Sequence, residues 1–358
     1  MVEVPMDCEN IVKRVYTNQK IEKDLENPIA FIRNVYTIYE FQEILLSSIY
    51  HPSNTYCYSV DINSKTGIFE KLQKLSRCLP NVILNPVKYD FDSAGHFQDR
   101  ANFKCLELIL ERKWYHAIFL QNNDLVLKSV EELAELSNLL NYTSMISFLN
   151  TPENRYIHNA DWTPAGLKLF KNEAEVAVDI LHKPLKIWMG SNQNVLSKTF
   201  AKSIFEKLNL EGILNRFDQK EIYGVDEMFV QTLYRNNLGL EGQPTSDCSS
   251  IVANFMRFVD WQVNPTFFNS KCKSRISRHA VCILGVEYLQ DFTESNFVIA
   301  NKILENFDLA PLICMKQIDE ERKIRGKKTS RRDLQGYPQF REMEMRENGS
   351  YNKYDFRC

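Results

Sequence analysis

From residue 29 onward, short β-rich runs alternate with amphipathic stretches, and this alternation constrains the fold more than any other feature. Helices are predicted over residues 39–50, 67–79, 97–113 and 129–140. The runs between them are typical of strands: IAFIRNVY from residue 29, YCYSVD at 56–61, NVILN at 81–85 and WYHAIFL at 114–120. Strands separated by helices imply an α/β domain, with a mostly parallel sheet that carries helices on both faces.

A second ordered block follows a connection at residues 150–183 that gives weak signals. It begins with a strand-like run at 185–191 and a predicted helix at 195–208, and YGVDEMFVQTLYRN has helical spacing after Gly224. HAVCILG at 279–285 is typical of a buried strand, and ESNFVIANKILENF of a helix or helical turn. The charged residues 317–358 lack a periodic apolar face, so we predict a flexible tail, with a phosphate or nucleic-acid patch as the alternative.

Charge and cysteine content limit the functional classes. The 358 residues include 44 basic and 46 acidic ones, so no overall field attracts nucleic acid or a membrane surface, and we expect no nucleic-acid partner. Nine cysteines without a C-x-x-C pair favour disulfides and an oxidising compartment. The sequons at Asn141 and Asn348 are compatible with glycosylation there.

The N-terminus carries no signal that would bring the chain to such a compartment. MVEVPMDCEN is acidic where a signal peptide is basic and then apolar, and no long apolar run follows. We therefore expect that the N-terminus is incomplete and that a membrane anchor lies outside this chain.

Six segments in collinear order, within residues 7–316, resemble the core 2 β-1,6-N-acetylglucosaminyltransferases and peptide O-xylosyltransferases, glycosyltransferase family fourteen. YCYSVDINSK resembles the strand-end segment of that family, FLQNNDLVLKS its LCGxDFPLK-type segment, and LKIWMGSNQNVLSKTF its GSAYFVLSRxF-type segment. YGVDEMFVQTL resembles YSPDExxWATL, and FVDW resembles FVKW. RHAVCILG with FVIANK resembles RSVCIFG with FANK.

The resemblance implies a GT-A-like, Rossmann-type fold and an inverting glycosyltransferase on the lumenal side of the Golgi membrane. The expected donor is a UDP-sugar, and the expected acceptor is an O-glycan or glycoprotein. Residues 1–28 would be a stem remnant and 29–316 the catalytic domain, with a donor half at about 29–150 and an acceptor and base half at about 185–316.

Inverting transfer needs a base for the acceptor hydroxyl and positive charge for the departing diphosphate. By resemblance, Glu227 is the base, although its sequence alone also suits an acid at a helix start with Asp226 as the N-cap. Arg278 and Lys302 match the two family cations that contact the diphosphate. Alone, each would be an ordinary surface charge.

Further donor and acceptor residues follow from the same matches. Asp61, at the carboxyl end of its strand, is expected to accept hydrogen bonds from the uridine, and otherwise to form a turn. Asp124 is either a donor-site or a framework residue. The pair Gly190 and Ser191 allows close backbone approach to the sugar, or forms an ordinary turn. On the acceptor side, Trp261 either offers its indole face to a galactose ring or is a core residue, and Arg155 replaces a basic acceptor contact.

The family's cysteine pattern implies the pairs Cys8–Cys78, Cys57–Cys105 and Cys272–Cys282. It gives Cys314 a partner upstream of this chain and leaves Cys248 and Cys358 without a placed partner.

One short motif argues for a metal. Asp90, Phe91 and Asp92 form a D-x-D triplet, and two carboxylates at that spacing can bind Mn²⁺ or Mg²⁺. The triplet does not end a clear apolar strand, and the resembled family works without a metal. We therefore expect no metal and no cofactor.

The acceptor-side match is poor, because Val263 stands where the family has an aromatic residue and Ser147 near the place of an acidic contact. The acceptor is thus the least determined part of the reaction. Alternatives are a peptide O-xylosyltransferase-like enzyme and an inactive UDP-sugar- or glycan-binding homologue.

Overall fold

The structure is a computed structural model, and it describes residues 4–16, 24–65, 67–244, 256–262, 272–325, 330–352 and 356. The first half follows the predicted alternation closely. Its elements are α1 (Cys8–Val15), β1 (Ile29–Val35), α2 (Tyr39–Ile49), β2 (Thr55–Val60), α3 (Ile68–Cys78), β3 (Val82–Leu84), α4 (Gln98–Ile109), β4 (His116–Leu120), β5 (Leu125–Val126) and α5 (Val130–Leu140).

The second half has shorter elements. They are β6 (Leu149–Asn150), α6 (Val178–His182), β7 (Trp188–Met189), β8 (Val195–Ser197), α7 (Lys198–Lys207), α8 (Glu211–Phe217), α9 (Phe229–Arg235), β9 (Arg257–Phe258), β10 (Ser277–Arg278), β11 (Val281–Cys282), α10 (Leu289–Glu294), β12 (Ile299–Ala300), α11 (Ala310–Arg325), α12 (Arg331–Leu334) and α13 (Pro338–Glu347).

Five strands form the central sheet in the order β3-β2-β1-β4-β8. The first four are parallel and β8 is antiparallel to β4, which confirms the predicted mostly parallel sheet. The start of the helix expected at 195–208 is therefore wrong, because Val195–Ser197 pair with β4 and the helix begins at Lys198.

Side chains alternate between two cores along each strand of the sheet. In β1, Ala30 and Ile32 contact one core together with α4, α7, α8 and α9. Ile29 and Phe31 contact the other core together with α1, α2, α3, α5 and α13. Helices thus cover both faces, as the pattern predicts for an α/β domain.

A three-stranded sheet, β5-β12-β9, continues the fold beside the central sheet. Here β12 lies between β5, which is antiparallel to it, and β9, which is parallel. The segment ESNFVIANKILENF is thus not a helix throughout, because Ile299 and Ala300 form a strand. With α10, α11 and the hairpin β10-β11, this sheet surrounds a third apolar cluster.

The C-terminal region differs from the expected flexible tail. Helix α11 runs to Arg325, and α12 and α13 follow, with Leu334, Tyr337, Phe340 and Met343 at most 2% exposed. These side chains lie three residues apart, so they form one apolar stripe that packs into the core with α5. The prediction of a solvated tail is wrong for residues 331–347. The asparagines of the two sequons are both exposed, and the Asn141 amide donates to Glu347, the residue before Asn348.

Three disulfides, Cys8–Cys78, Cys57–Cys105 and Cys272–Cys282, confirm the pairs that the resemblance implied. Cys314 forms no disulfide within the described part of the chain, and Cys248 and Cys358 lie outside it. Among the described helices, none is both long and apolar enough to cross a membrane.

Candidate active site

A cavity of about 300 Å³ opens at the carboxyl ends of β1, β2 and β4. It brings together Asp61, Glu227, Arg278 and Lys302, which lie up to 241 residues apart in the sequence, since 302 − 61 = 241. Three further lining residues, Phe91, Asp92 and Asp226, were considered from the sequence only for a metal or a helix cap. The rest of the lining was not expected from the sequence: Asn34, Tyr36, Ser93, Gln98, Gln121, Asn122, Asn123, Asn192, Tyr223, Gly224, His279 and Asn301. Several of these directly follow β1 or β4, so the position of strand ends was the signal that could have found them.

Glu227 ends a short 3-10 turn, Val225–Glu227, and its side chain is 28% exposed. Its carbonyl oxygen accepts a hydrogen bond from the amide of Gly190 at 2.7 Å. One carboxylate oxygen, Oε2, accepts from the guanidinium of Arg155 at 2.7 Å. The other oxygen has no hydrogen-bond partner among the described residues, so it is available to a hydroxyl in the cavity.

Arg155 reaches Glu227 because residue 224 is a glycine. Gly224 has φ +72°, and a Cβ there would lie 1.9 Å from an Arg155 nitrogen. Arg155 also donates from Nε to the carbonyl of Tyr223 at 2.9 Å. The structure therefore places Arg155, an expected acceptor contact, directly on Glu227, the expected base.

Asp226 does not cap a helix, so the capping alternative for this segment is wrong. Its carboxylate is buried and accepts hydrogen bonds from the side-chain amides of Asn192 at 2.8 Å and Gln121 at 3.4 Å. Burial, and secondarily the charge of Glu227, raises the pKa of Asp226 to about 6. Both carboxyl groups line the cavity but differ in environment, since Asp226 is buried and Glu227 is partly exposed.

The hairpin β10-β11 presents Arg278 to the cavity. His279 and Ala280 form its two-residue turn with φ of 54° and 58°, the left-handed region that non-glycine residues seldom adopt. The disulfide Cys272–Cys282 ties the hairpin to the preceding segment. Arg278 itself is exposed, so its guanidinium can reach a ligand in the cavity.

Lys302 follows β12 and is only partly exposed. Burial lowers its pKa, and the nearby charges of Arg278 and Arg257 lower it further, while Asp124 opposes the shift. The side of the cavity that carries Arg278 and Lys302 thus has little negative charge to balance these two cations. An anionic ligand such as a diphosphate would supply that charge.

Asp61 lies at the carboxyl end of β2 and is 8% exposed. Its Oδ1 accepts from the backbone amide of Asn63 at 2.8 Å. Burial raises the pKa of Asp61, and the neighbouring Asp90 adds to the shift. Asp61 therefore forms a local turn and also lines the cavity, so the two interpretations of this residue are compatible.

Asp124 does not line the cavity and is fully buried. Its carboxylate accepts hydrogen bonds from the side-chain amides of Gln193 at 3.0 Å and Asn301 at 2.7 Å. It also accepts one from the backbone amide of Gln121 at 2.7 Å. It joins three segments around the site, so the structure favours the framework role over a direct donor contact.

Three other expected residues lie beside the cavity rather than in its lining. A Cβ at Gly190 would meet the carbonyl of Ser147 at 2.0 Å, and Ser191 donates its amide to Ser147 Oγ at 2.9 Å. These contacts support the loop that holds the Glu227 backbone. Trp261 is 40% exposed and its backbone forms a β-bridge with Val281, so it is not a core residue.

The D-x-D triplet is already engaged by protein groups. Asp90 accepts from Asn63 at 2.6 Å. Asp92 accepts from the amides of Ala94 and His96 and binds the His96 ring at 2.6 Å. Within the ranges that the structure describes, no three His, Cys, Asp or Glu side chains form a group suited to a metal ion.

The chain is similar to a known protein family and to several known proteins. A family model described as core-2/I-branching enzyme matches residues 29–293. The β-1,3-galactosyl-O-glycosyl-glycoprotein β-1,6-N-acetylglucosaminyltransferase 3 of Homo sapiens is 23% identical over 341 residues, which cover 89% of this chain and 75% of that protein. The corresponding transferase 3 of Ovis aries is 26% identical, and the transferase of Bovine herpesvirus 4 is 25% identical, each over 91% of this chain and 75% of its own length.

Among solved structures, S. aureus TarS in complex with UDP aligns over 53% of this chain and 53% of its own, with a TM-score of 0.29 and 10% identity. A score of that size does not establish a shared fold.

Proposed function

This chain belongs to the core-2/I-branching enzyme family and is a UDP-sugar-dependent glycosyltransferase, and from that premise we propose the reaction that it performs. It transfers N-acetylglucosamine from UDP-N-acetylglucosamine, in β-1,6 linkage and with inversion, to GalNAc or galactose of an O-linked glycan. The named activity of the similar transferases supports the choice of sugar and linkage. The reaction would take place on the lumenal side of the Golgi membrane.

The observation that carries the proposal is the meeting of the partly exposed Glu227 carboxylate and two cations, Arg278 and Lys302, in one cavity. In the proposed step, the 6-hydroxyl oxygen of the acceptor attacks the anomeric carbon of the donor. The hydroxyl proton goes to Glu227, and the bond from the anomeric carbon to the diphosphate breaks. The electron pair stays on the diphosphate oxygen, where Arg278 and Lys302 stabilise the charge.

Arg155 suits the acceptor side of this reaction. Its guanidinium holds Oε2 of Glu227, which fixes the carboxylate and leaves Oε1 for the incoming hydroxyl. Tyr223 lies next to it and is 56% exposed, with the Arg155 guanidinium 5.8 Å from its ring centre. An acceptor sugar could therefore stack on Tyr223 while its hydroxyl reaches the base.

We further propose that the reaction needs no metal ion. The carboxylates of Asp90 and Asp92 already accept hydrogen bonds from Asn63 and His96, so binding a cation would disrupt contacts that hold the loop. Arg278 and Lys302 supply the positive charge that a metal gives in other transferases.

The test compares wild type with Glu227→Gln, using UDP-N-acetylglucosamine and a core 1 acceptor in the presence of a chelator. We expect wild-type activity in chelator, and a loss of roughly 10²- to 10⁴-fold in the variant, because a general base contributes that much. UDP affinity should change little, since Glu227 acts on the acceptor. Glu221→Gln, an exposed glutamate of the same segment, is the matched control and should behave as wild type.

Full activity of Glu227→Gln would disprove the base assignment. Loss of wild-type activity in chelator would disprove metal independence. Productive transfer only from UDP-xylose to a Ser-Gly peptide, or UDP binding without transfer from any UDP-sugar, would disprove the proposed reaction.

A further inference from the structure

A chain of hydrogen-bonded polar side chains lies along one wall of the cavity, from the base to the cation on the opposite side. Its centre is Arg257 in β9, which does not line the cavity. We infer that Arg257 is a positioning residue that couples the placement of Glu227 to the placement of Lys302. This role rests on the proposed function, because it concerns the two groups that act at the two ends of the transferred bond.

On the leaving-group side, Arg257 donates from Nη2 to Oδ1 of Asn301 at 2.8 Å. Asn301 in turn donates to Oδ1 of the buried Asp124 at 2.7 Å. The side chain of Asn301 is thereby held at both its oxygen and its nitrogen. Lys302 is the next residue, so Arg257 fixes the backbone from which the Lys302 ammonium extends.

On the base side, Arg257 donates from Nη1 to Oδ1 of Asn192 at 3.4 Å, a long hydrogen bond. The amide nitrogen of Asn192 donates to Oδ2 of Asp226 at 2.8 Å. Asp226 is the residue before Glu227. The same guanidinium therefore reaches both ends of the site, each through one asparagine.

The charge of Arg257 is matched to this place. Its Nε is buried and lacks a hydrogen-bond partner among the described residues, so the side chain is held by its two terminal nitrogens. Burial lowers the pKa of Arg257, and the charges of Asp124, Glu227 and Asp226 oppose the shift. Since removing a cation from water is costly, these nearby carboxylates stabilise Arg257, whose own hydrogen bonds go to Asn192 and Asn301.

Arginine suits the position because its planar fork directs two nitrogens to two acceptors at once. A lysine keeps the charge but has one compact ammonium, so it cannot hold Asn192 and Asn301 in the same geometry. A lysine variant thus keeps the positive charge of Arg257 and removes its two directed donors. Its kcat and UDP affinity therefore distinguish a positioning role from a merely structural one.

The experiment measures kcat, UDP affinity and the number of UDP sites by calorimetry for Arg257→Lys and Arg257→Gln, with kcat expressed per UDP-binding site. We expect Arg257→Lys to keep UDP affinity close to wild type and to lose kcat by roughly 10- to 100-fold, because small displacements of reacting groups cost that much. Arg257→Gln should lose both kcat and UDP affinity. Arg14→Lys, which breaks a guanidinium fork on Glu43 far from the cavity, should leave both quantities unchanged.

A second measurement tests the coupling directly. Asn192→Ala and Asn301→Ala are combined in wild type and in Arg257→Lys. Their effects on kcat should be non-additive in wild type and additive in the Arg257→Lys background, because the bridge between them is gone. Additive effects in wild type, or wild-type kcat in Arg257→Lys, would overturn the inference. If instead wild type transfers no sugar, the proposed function itself fails, and this inference fails with it. That result differs from additive effects or an unchanged kcat, which overturn this inference alone.

Discussion

Asp226 and Glu227 are neighbours in the chain, but their carboxyl groups have different surroundings. Glu227 is partly exposed and bound by Arg155, whereas Asp226 is buried and bound by the amides of Asn192 and Gln121. Gly95 packs so closely on Asp226 that a Cβ there would lie 2.0 Å from its Oδ1. This tight packing fixes the segment that carries Glu227, and it places an ionisable group where its charge is costly.

The raised pKa of Asp226 makes its contribution to stability depend on pH. Because the pKa is about 6 in the folded state and near 3.8 in the unfolded state, the folded state holds the proton more tightly. The resulting stability is fully present below pH 3.8 and is lost as pH rises through about 6. We expect Asp226→Asn to raise the free energy of unfolding by about 2 to 3 kcal/mol at pH 8 and by little at pH 4.

Urea unfolding at the two pH values measures this difference. Glu221→Gln, an exposed carboxylate in the same segment, serves as the control and should show no such pH dependence. An equal effect of Asp226→Asn at pH 4 and pH 8 would contradict the prediction.

At the level of elements, α13 turns a charged C-terminal sequence into part of the core. Phe340 is fully buried against the cluster that also contains α5 and β1. Phe340→Ala should therefore lower the free energy of unfolding by about 3 to 5 kcal/mol, as for other buried phenylalanines. Arg332→Ala in α12 is exposed and should stay within about 0.5 kcal/mol of wild type. Denaturant titration measures both changes in the free energy of unfolding. A small change for Phe340→Ala would show that α13 does not pack against the core.

The elements of the first half were predictable because each is long enough to show its period. Strands β1, β2 and β4 and helices α2, α3 and α5 match the sequence patterns within a few residues. Two-residue strands such as β9 and β12 have no period, and their pairing depends on partners far away in the chain. Helix α13 was missed because arginine and glutamate side chains between Phe340 and Met343 hide the apolar stripe.

For the whole molecule, the bridge Cys8–Cys78 joins α1 to the end of α3 across a separation of 70 residues. Cys8 is exposed and Cys78 is partly exposed, so their replacement leaves no large cavity. We expect the double variant Cys8→Ser with Cys78→Ser to lose about 4 kcal/mol of stability, through the greater entropy of the unfolded chain. Thermal unfolding measures this loss of stability, and an unchanged melting temperature would refute the prediction. The kcat of the folded double variant should remain at the wild-type value.

The site as a whole could be predicted only in part from the sequence. Asp61, Glu227, Arg278 and Lys302 came from matched motifs, and the structure places all four in one cavity. The contacts of Arg257 could not be predicted, because its two partners lie 65 and 44 residues away and each asparagine alone resembles a loop residue. Side-chain networks of this kind depend on the folded geometry rather than on any local pattern.

The position of β12 between β5 and β9 also has a consequence for how the protein reaches its folded state. Ile299 pairs with Val126, and the sequence separation of that pair is 299 − 126 = 173 residues. Contacts between such distant segments form slowly, because the closure of a long loop must precede them. The central sheet can assemble from residues 29–120 well before β12 arrives. We therefore expect UDP binding to appear late in refolding, after most of the helical circular dichroism signal has recovered.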